Sequence, residues 1–323
     1  MKFFQRILSA LLALALMLTA CIALADTPKP IEALTDEEVP EPLKGQHHYL
    51  LLCVDQWNKP MGNTDGMVLV TLDTRQHRVM LTSFIRDALV QRPDGHIGRI
   101  NYIAKNYSPE ELCSVISRHI GVKVEKYILF NFSQIQSIIN YLSGVDITID
   151  DSEATYLTRY AIPKDSTKPR IRGAGTYHFN GHSAVIYMRI RKASGRGDFM
   201  RTQRVRTVLS TLAQQCREIT EADARKLVDA VLENSSRTNM NVDDMVNAMT
   251  QAFGLRTCTM EELRIPPDDA VQPIQYAGMA AQQVDWTACR QEMANYLENS
   301  FLVLDETEDY EESIDDLDMS VDW

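Results

Sequence analysis

The sequence predicts an α/β fold of three layers, a central mixed sheet flanked by helices on both faces, and three observations predict it. Tyr49 to Val54, Met67 to Leu72 and Val79 to Ile85 are runs apolar on both faces, which suits central strands covered on two sides. Helices are announced by N-caps, most plainly at Ser108-Pro109-Glu110-Glu111. Strands and helices then alternate along the chain, the order typical of α/β domains.

The chain opens with Lys2 and Arg6 and then an apolar stretch from Ile7 to Ala25, broken only by Ser9 and Thr19. This reads as a signal sequence or an anchor, residues 1–25. Ala23-Leu24-Ala25 has the form of a secretory cleavage site, and Leu18-Thr19-Ala20-Cys21 that of a lipoprotein box. An uncleaved segment would be close to the roughly 20 residues that span a bilayer. All three readings place the rest of the protein outside the cytoplasm. Residues 26–45, rich in proline and acids, read as a linker.

The folded domain is expected over residues 46–304. After the first three strands, the Ser108 cap leads into Leu112, Val115, Ile116 and Ile120 on one helix face, with Gly121 as the stop. Tyr127 to Phe130 reads as a strand, and Ser133 to Leu142 as a helix with Ile135, Ile138, Ile139 and Leu142 on one face. Val145 to Ile149 alternates as a strand does. Tyr156 to Gly175 reads as a loop. Asn180-Gly181 opens a short helix through Met188, and Asp198 caps a longer one to about Cys216. Thr220 to Glu233, Asp243 to Phe253 and Asp285 to Leu304 complete the expected helices.

Charge is spread unevenly. Ten acids and no base lie between Asp305 and Trp323, so residues 305–323 read as a disordered acidic tail. The body from Asp26 to Leu304, with 31 bases and 34 acids, is nearly neutral. Within it Arg189 to Arg206 gathers seven bases against one acid, Asp198. Apart from Cys21 five cysteines remain, without CxxC spacing, so no zinc site is implied. A disulfide between Cys258 and Cys289 is conceivable in an exported chain, although connectivity is not readable from sequence.

Three constellations carry chemistry. Asp55 closes the first strand and Asp65 stands just before the second, so the two carboxylates can converge at neighbouring strand tips. Mg²⁺ is commonly held by one or two such carboxylates, with substrate phosphates completing its shell. The same residues also read as a strand terminator and an Asx-turn. Arg86-Asp87 ends the third strand, where ligands of open α/β sheets bind. Arg86 offers a planar fork for phosphate oxygens, or Asp87 is its ion-pair partner. Finally, Arg189, Arg191, Arg201 and Arg204 crowd together. Arg201 and Arg204 share a face in the first turns after the Asp198 cap, where an anion is favoured, or they are solvated surface residues. Nucleic acid is excluded as that anion by the exported location, the net charge of −11 and the lack of a recognition fold.

Taken in order, Leu50-Leu51-Leu52-Cys53-Val54-Asp55, Thr64-Asp65, Ser83-Phe84-Ile85-Arg86-Asp87, Gly98-Arg99-Ile100-Asn101, His178-Phe179-Asn180-Gly181-His182-Ser183-Ala184, Arg189-Ile190-Arg191, Gly197-Asp198-Phe199 and Arg201 resemble the LytR-CpsA-Psr family. The resemblance covers about Tyr49 to Gln214. It implies a membrane-associated envelope protein, of a family once described as transcriptional attenuators. Its members are phosphotransferases that move teichoic acid, capsule or another glycopolymer from a polyprenyl-pyrophosphate carrier to a peptidoglycan acceptor. By that resemblance Asp55 and Asp65 hold Mg²⁺, and Arg86, Arg189, Arg191 and Arg201 clamp the pyrophosphate. Arg204 lies beside them, and Asp87, Asp198 and Asp55 are candidates for the base. The family also implies an apolar slot for the polyprenyl tail, with the Ile135, Ile138, Ile139 and Leu142 stripe as a candidate wall, or as ordinary core.

Four positions depart from the family pattern. Asn63 stands where arginine is usual, Gly66 where threonine is, Ser114 near a frequent lysine, and Val205 in place of a glutamine. The alternative these departures raise is a protein that binds polyprenyl phosphates without turning them over.

Overall fold

The computed structural model describes residues 28–55, 62–161, 170–191, 197–215 and 237–297, with isolated positions between 220 and 235. The apolar segment from Ile7 to Ala25, most of the helix expected over 220–233 and the acidic tail lie outside the described residues. Among those described, no helix is long and apolar enough to cross a membrane.

The centre is a mixed sheet of six strands in the order β10-β3-β2-β1-β6-β9. β1 (Gln46–Val54) pairs antiparallel with β2 (Thr64–Asp73) and parallel with β6 (Lys126–Asn131). β2 is antiparallel to β3 (Arg78–Phe84), which runs parallel to β10 (Thr259–Ile265). β9 (Arg237–Thr238) closes the other edge. Three two-stranded pieces are added: β4 (Leu89–Gln91) with β5 (Ile97–Arg99), β7 (Val145–Ile149) with β8 (Gly175–Phe179), and β11 (Val271–Tyr276) with β12 (Met279–Val284).

Helices cover both faces, as expected. On one, α1 (Pro109–Ile120) presents Leu112, Val115, Ile116 and Ile120, and a C-terminal helix over 286–297 presents Trp286, Cys289, Met293 and Leu297, to Leu50, Leu52, Met67 and Leu69 of the sheet. The Ser108 side chain accepts the Glu111 amide, and Gly121 ends α1 in a left-handed conformation. Trp286 Nε1 donates to the Leu89 carbonyl at 2.8 Å. On the other face lie α2 (Phe132–Tyr141), α3 (Asp151–Tyr156), α4 (Gly181–Met188), α5 (Gly197–Gln215) and α6 (Val242–Gly254). A Cβ on Gly181 would come within 2.1 Å of the Gln136 carbonyl oxygen, so α4 can enter against α2 only with glycine there.

The two faces differ in one respect that matters for the site. Gln46, His48, Leu50, Leu52 and Val54 of β1 are buried, whereas Tyr49, Leu51 and Cys53, pointing the other way, are only half-buried. The second helical layer stands off the sheet there and leaves a cavity.

Residues 28–44 lie against the domain: Lys29 N–H donates to Gln283 Oε1, Leu34 N–H to the Arg118 carbonyl, and Arg290 to the Glu32 carbonyl, while Ile31 packs on the core. Cys289 is a free thiol sealed among apolar residues of the first core, so it forms no disulfide with Cys258.

Candidate functional site

At one end of the sheet β1, β3 and β6 finish and β2 begins, so the order β3-β2-β1-β6 sets Arg86 and Asp87, Asp65, Asp55 and Phe132 side by side. The Asp55 amide donates to the Asn63 carbonyl at 2.9 Å and closes the β1–β2 hairpin. A Cβ on Gly62 would lie 2.5 Å from the Asp55 carbonyl oxygen, which reserves that position for glycine.

Asp65 reaches the site because of a β-bulge. Cys53 pairs with Gly66 and Val54 with Thr64, which leaves Asp65 as the extra residue on β2. In a regular strand Asp65 would share a face with Met67 and Leu69, which are buried in the first core. The bulge turns it instead onto the face of Gly66 and Val68, where it lines the cavity.

Three guanidinium groups from three segments meet this one carboxylate. Arg86 Nη1 donates to Asp65 Oδ1 at 2.6 Å, and Arg191 Nη2 and Arg201 Nη1 each lie 3.4 Å from Oδ2. Arg86 follows β3, Arg191 lies beyond the end of α4, and Arg201 begins the second turn of α5. The side chains of Arg201 and Asp65 are 4% and 8% exposed. Burial alone would raise the Asp65 carboxyl; Arg201, Arg86 and Arg191 outweigh it and hold the group below the usual carboxylate range. Arg189 lies over the Phe132 ring, 4.4 Å from its centroid, and 3.6 Å from Asp55 Oδ1. Asp55 is half exposed.

The structure therefore brings together Asp55, Asp65, Arg86, Arg189, Arg191 and Arg201. Asp87 belongs to the rim: its Oδ1 pairs with Arg99 at 3.1 Å and its Oδ2 with Arg86 Nε at 3.7 Å, as the ion-pair reading of Arg86 expects. Arg204 is a correction. It is fully buried, its Nε donating to Glu153 Oε1 at 2.6 Å and its Nη1 to the Ile190 carbonyl at 2.8 Å, and so it faces neither solvent nor the cleft. Helical spacing put it on a face with Arg201 but did not reveal what stands opposite. The Asp198 side chain lies outside the described residues.

Sequence reasoning missed Arg99 and Glu153. Glu153 had a signal: Asp150 and Glu153 stand three apart, as in a capping box, and Asp150 caps α3 with both of the box's hydrogen bonds.

Below the arginines opens a cavity of about 280 Å³. Asp65, Arg189 and Arg201 are polar at its lining, and the rest is almost wholly apolar: Leu51, Ile128 and Phe130 from the sheet, Ile135, Ile138 and Ile139 from α2, Val205, Val208, Leu209 and Leu212 from α5. Of the predicted stripe, three isoleucines line the cavity and Leu142 does not. Cys53 is in the wall too, where burial and the Asp65 carboxylate push its thiol up to about 12, so it stays protonated. The arrangement offers an anion site of guanidinium groups on top of a slot for an apolar chain.

The sequence matches the LytR_cpsA_psr family over residues 23–293. Similar curated proteins include the polyisoprenyl-teichoic acid–peptidoglycan teichoic acid transferase TagV of Bacillus subtilis (strain 168). It is 25% identical over 216 residues, 64% of this chain and 53% of TagV, so the match spans about half of that protein's length. The corresponding transferase TagU of Bacillus mycoides is 23% identical over 220 residues, 68% of each chain. Among solved structures, TagT bound to LIIa-WTA superposes with a TM-score of 0.66 at 20% identity, covering 85% of this chain and 98% of that one. B. subtilis TagV gives a TM-score of 0.62 at 21% identity, covering 80% and 98%. These superpositions establish the fold.

Proposed function

The chain belongs to the LytR-CpsA-Psr family, and from that premise we propose that it is an extracytoplasmic phosphotransferase that moves a glycopolymer from a polyprenyl-pyrophosphate carrier to peptidoglycan. One observation carries the reading: Arg86, Arg191 and Arg201, from three separate segments, converge on Asp65 at the lining of an apolar cavity. A pyrophosphate joined to a long hydrocarbon has this same division, two charged groups and an apolar tail. The relatives' names, which specify transfer of polyisoprenyl-linked teichoic acid to peptidoglycan, support the class of substrate.

In this reading the pyrophosphate takes over the guanidinium groups that Asp65 now engages, and Arg189 adds a fourth. Phosphoryl transfer asks the protein chiefly to position its reactants and to neutralise charge. An acceptor hydroxyl oxygen forms a bond to the sugar-side phosphorus. The bond from that phosphorus to the bridging oxygen breaks, polyprenyl monophosphate leaves, and the hydroxyl proton is released. Arg86 steadies the charge as it develops, and Asp87, braced by Arg99, holds Arg86 in place.

Asp55 and Asp65 would hold Mg²⁺. Among the described residues no group of three or more histidine, cysteine or acidic side chains could hold a metal ion. Two hard carboxylates, with phosphate oxygens and water making up the remainder, are a donor set that suits Mg²⁺. When bound, the ion would neutralise part of the pyrophosphate charge. The apolar segment from Ile7 to Ala25 would put the cleft at the outer membrane surface, where such lipids present their head groups.

The test is turnover. The protein from residue 28 onward is given a polyprenyl-pyrophosphoryl saccharide with Mg²⁺ or chelator, beside Asp65→Ala, and polyprenyl phosphate is followed over time. Metal-dependent release that the variant lacks is the expected result. Tight lipid binding without release would make this a carrier-binding protein and give Asn63, Gly66 and Val205 their meaning.

A further inference from the structure

We infer that Glu153 and Arg204 are positioning residues that set Arg189 and Arg191 against Arg201; the inference rests on reading those arginines as the pyrophosphate grip. The chain of contacts is continuous. Asp150 and Glu153 close a reciprocal cap at the start of α3: the Asp150 amide donates to Glu153 Oε2 at 3.2 Å, and Asp150 Oδ1 accepts the Glu153 amide at 2.8 Å. With Oε2 so occupied, Glu153 presents Oε1 to Arg204 Nε at 2.6 Å. Arg204 Nη1 then donates to the carbonyl of Ile190 at 2.8 Å. Ile190 is the residue between the two arginines, and it is wholly buried.

Arg204 therefore ties three pieces together. It sits one turn after Arg201 on α5, it holds the backbone between Arg189 and Arg191, and it is anchored to α3. Its guanidinium also lies 5.9 Å from the Tyr187 ring centroid, against α4. Arg189 and Arg191 leave the end of a short helix with long side chains nearly half exposed at 45% and 46%. Fixing the carbonyl between them limits where both guanidinium groups can go, and displacements of about 1 Å at such groups cost up to 10²-fold in rate.

A buried ion pair is weak evidence of a stabilising purpose, because an uncharged pair of similar volume often serves stability equally well. That fact separates positioning from mere structure. Glu153→Gln leaves Arg204 buried without its counter-charge and lowers stability. Glu153→Gln with Arg204→Met removes the charge problem, and stability returns toward that of the parent, but the Ile190 carbonyl has lost its anchor.

The experiment measures thermal stability, equilibrium binding of inorganic pyrophosphate and turnover of the lipid-linked saccharide for the parent, Glu153→Gln, the double variant and Glu261→Gln. The last breaks the Arg78–Glu261 pair at the start of β3, at the far end of the sheet from the site. Expected are a stable double variant with about tenfold or greater loss of pyrophosphate affinity and turnover, and an unaffected Glu261→Gln once corrected for folded fraction. A double variant that regains both affinity and turnover along with stability would overturn the positioning role. If the parent binds no pyrophosphate and shows no turnover, the pyrophosphate reading itself is what fails.

Discussion

Arg86 Nη1 and Asp65 Oδ1 are 2.6 Å apart, with the Asp65 carboxylate almost completely buried. Asp65 is thus a counter-ion of the cluster, and on the proposed function a pyrophosphate would compete with it. Asp65→Asn should tighten inorganic pyrophosphate binding in chelator while abolishing Mg²⁺-dependent turnover. The same change should lower stability at neutral pH by about 2–4 kcal/mol, since the facing guanidinium groups lose their partner. Because the folded-state pKa lies below the ordinary carboxylate value, the part of this contribution set by that shift is complete above about pH 4 and is lost as pH falls through the folded value. Titration calorimetry and urea unfolding check both parts. Weaker metal-free pyrophosphate binding in the variant would contradict the competition.

The cavity predicts a separation of head from tail. Leu209 lines it two turns beyond Arg201 on α5, so Leu209→Trp fills the slot without touching the cluster. Affinity for long-chain polyprenyl phosphate should fall at least about tenfold, the worth of roughly two buried methylenes, while affinity for inorganic pyrophosphate stays unchanged. Equal losses for the two ligands would mean that the hydrocarbon binds elsewhere.

Gly66 is a test of tolerance. A Cβ there would stand 3.1 Å from the Cys53 Cβ, tighter than ordinary contact. Gly66→Thr should cost about 1–3 kcal/mol by overpacking, and adding Cys53→Ala, which keeps the crowding Cβ, should recover little of it. Chemical denaturation of the single and double variants measures this directly.

Acid should weaken the fold through two histidines. His119 is buried against Trp286, with its Nδ1 2.6 Å from the Val115 carbonyl and its Nε2 accepting the Gln91 amide, which fixes a neutral ring. Burial lowers its pKa to about 4, and burial, with His47 nearby, does the same for His48. A depressed histidine gives stability that is complete above the unfolded value near 6.5 and is lost between there and about pH 4. Each should contribute roughly 3 kcal/mol across that window. Unfolding free energies at pH 7, 5.5 and 4.5 should show the decline, and His119→Gln should flatten about half of it.

The three-layer class, the first three strands, β6, β7 and six of the helices were legible because their apolar periodicity and caps are strong. The edges were not. β10 is half-exposed and carries Glu261, Glu262 and Arg264, so its pattern does not look like a strand until β3 is beside it. β11 and β12 carry glutamines and form a two-stranded sheet of their own, linked to the residues after β3 by a bridge between Gln282 and Ala88. The strap over 28–44 has the prolines and acids of a linker, and its docking depends on partners such as Arg118, Gln283 and Arg290, far off in sequence. At the site, motif order picked out Arg86, Arg191 and Arg201, which the structure brings together around Asp65. Arg204 was misjudged because its fate is set by Glu153, 51 residues earlier.

The bulge at Asp65 makes the hairpin intolerant of a kind of change that substitution tests never probe. Removing Thr64, between Asn63 and Gly66, would mend the ladder and give a more regular sheet. It would also rotate the acid toward Met67 and the hydrophobic interior, away from Arg86, Arg191 and Arg201. Length, more than composition, is what this stretch has to preserve. Any alignment of relatives must accordingly place its gaps outside these four positions, or it will compare a cavity-lining acid with a core residue.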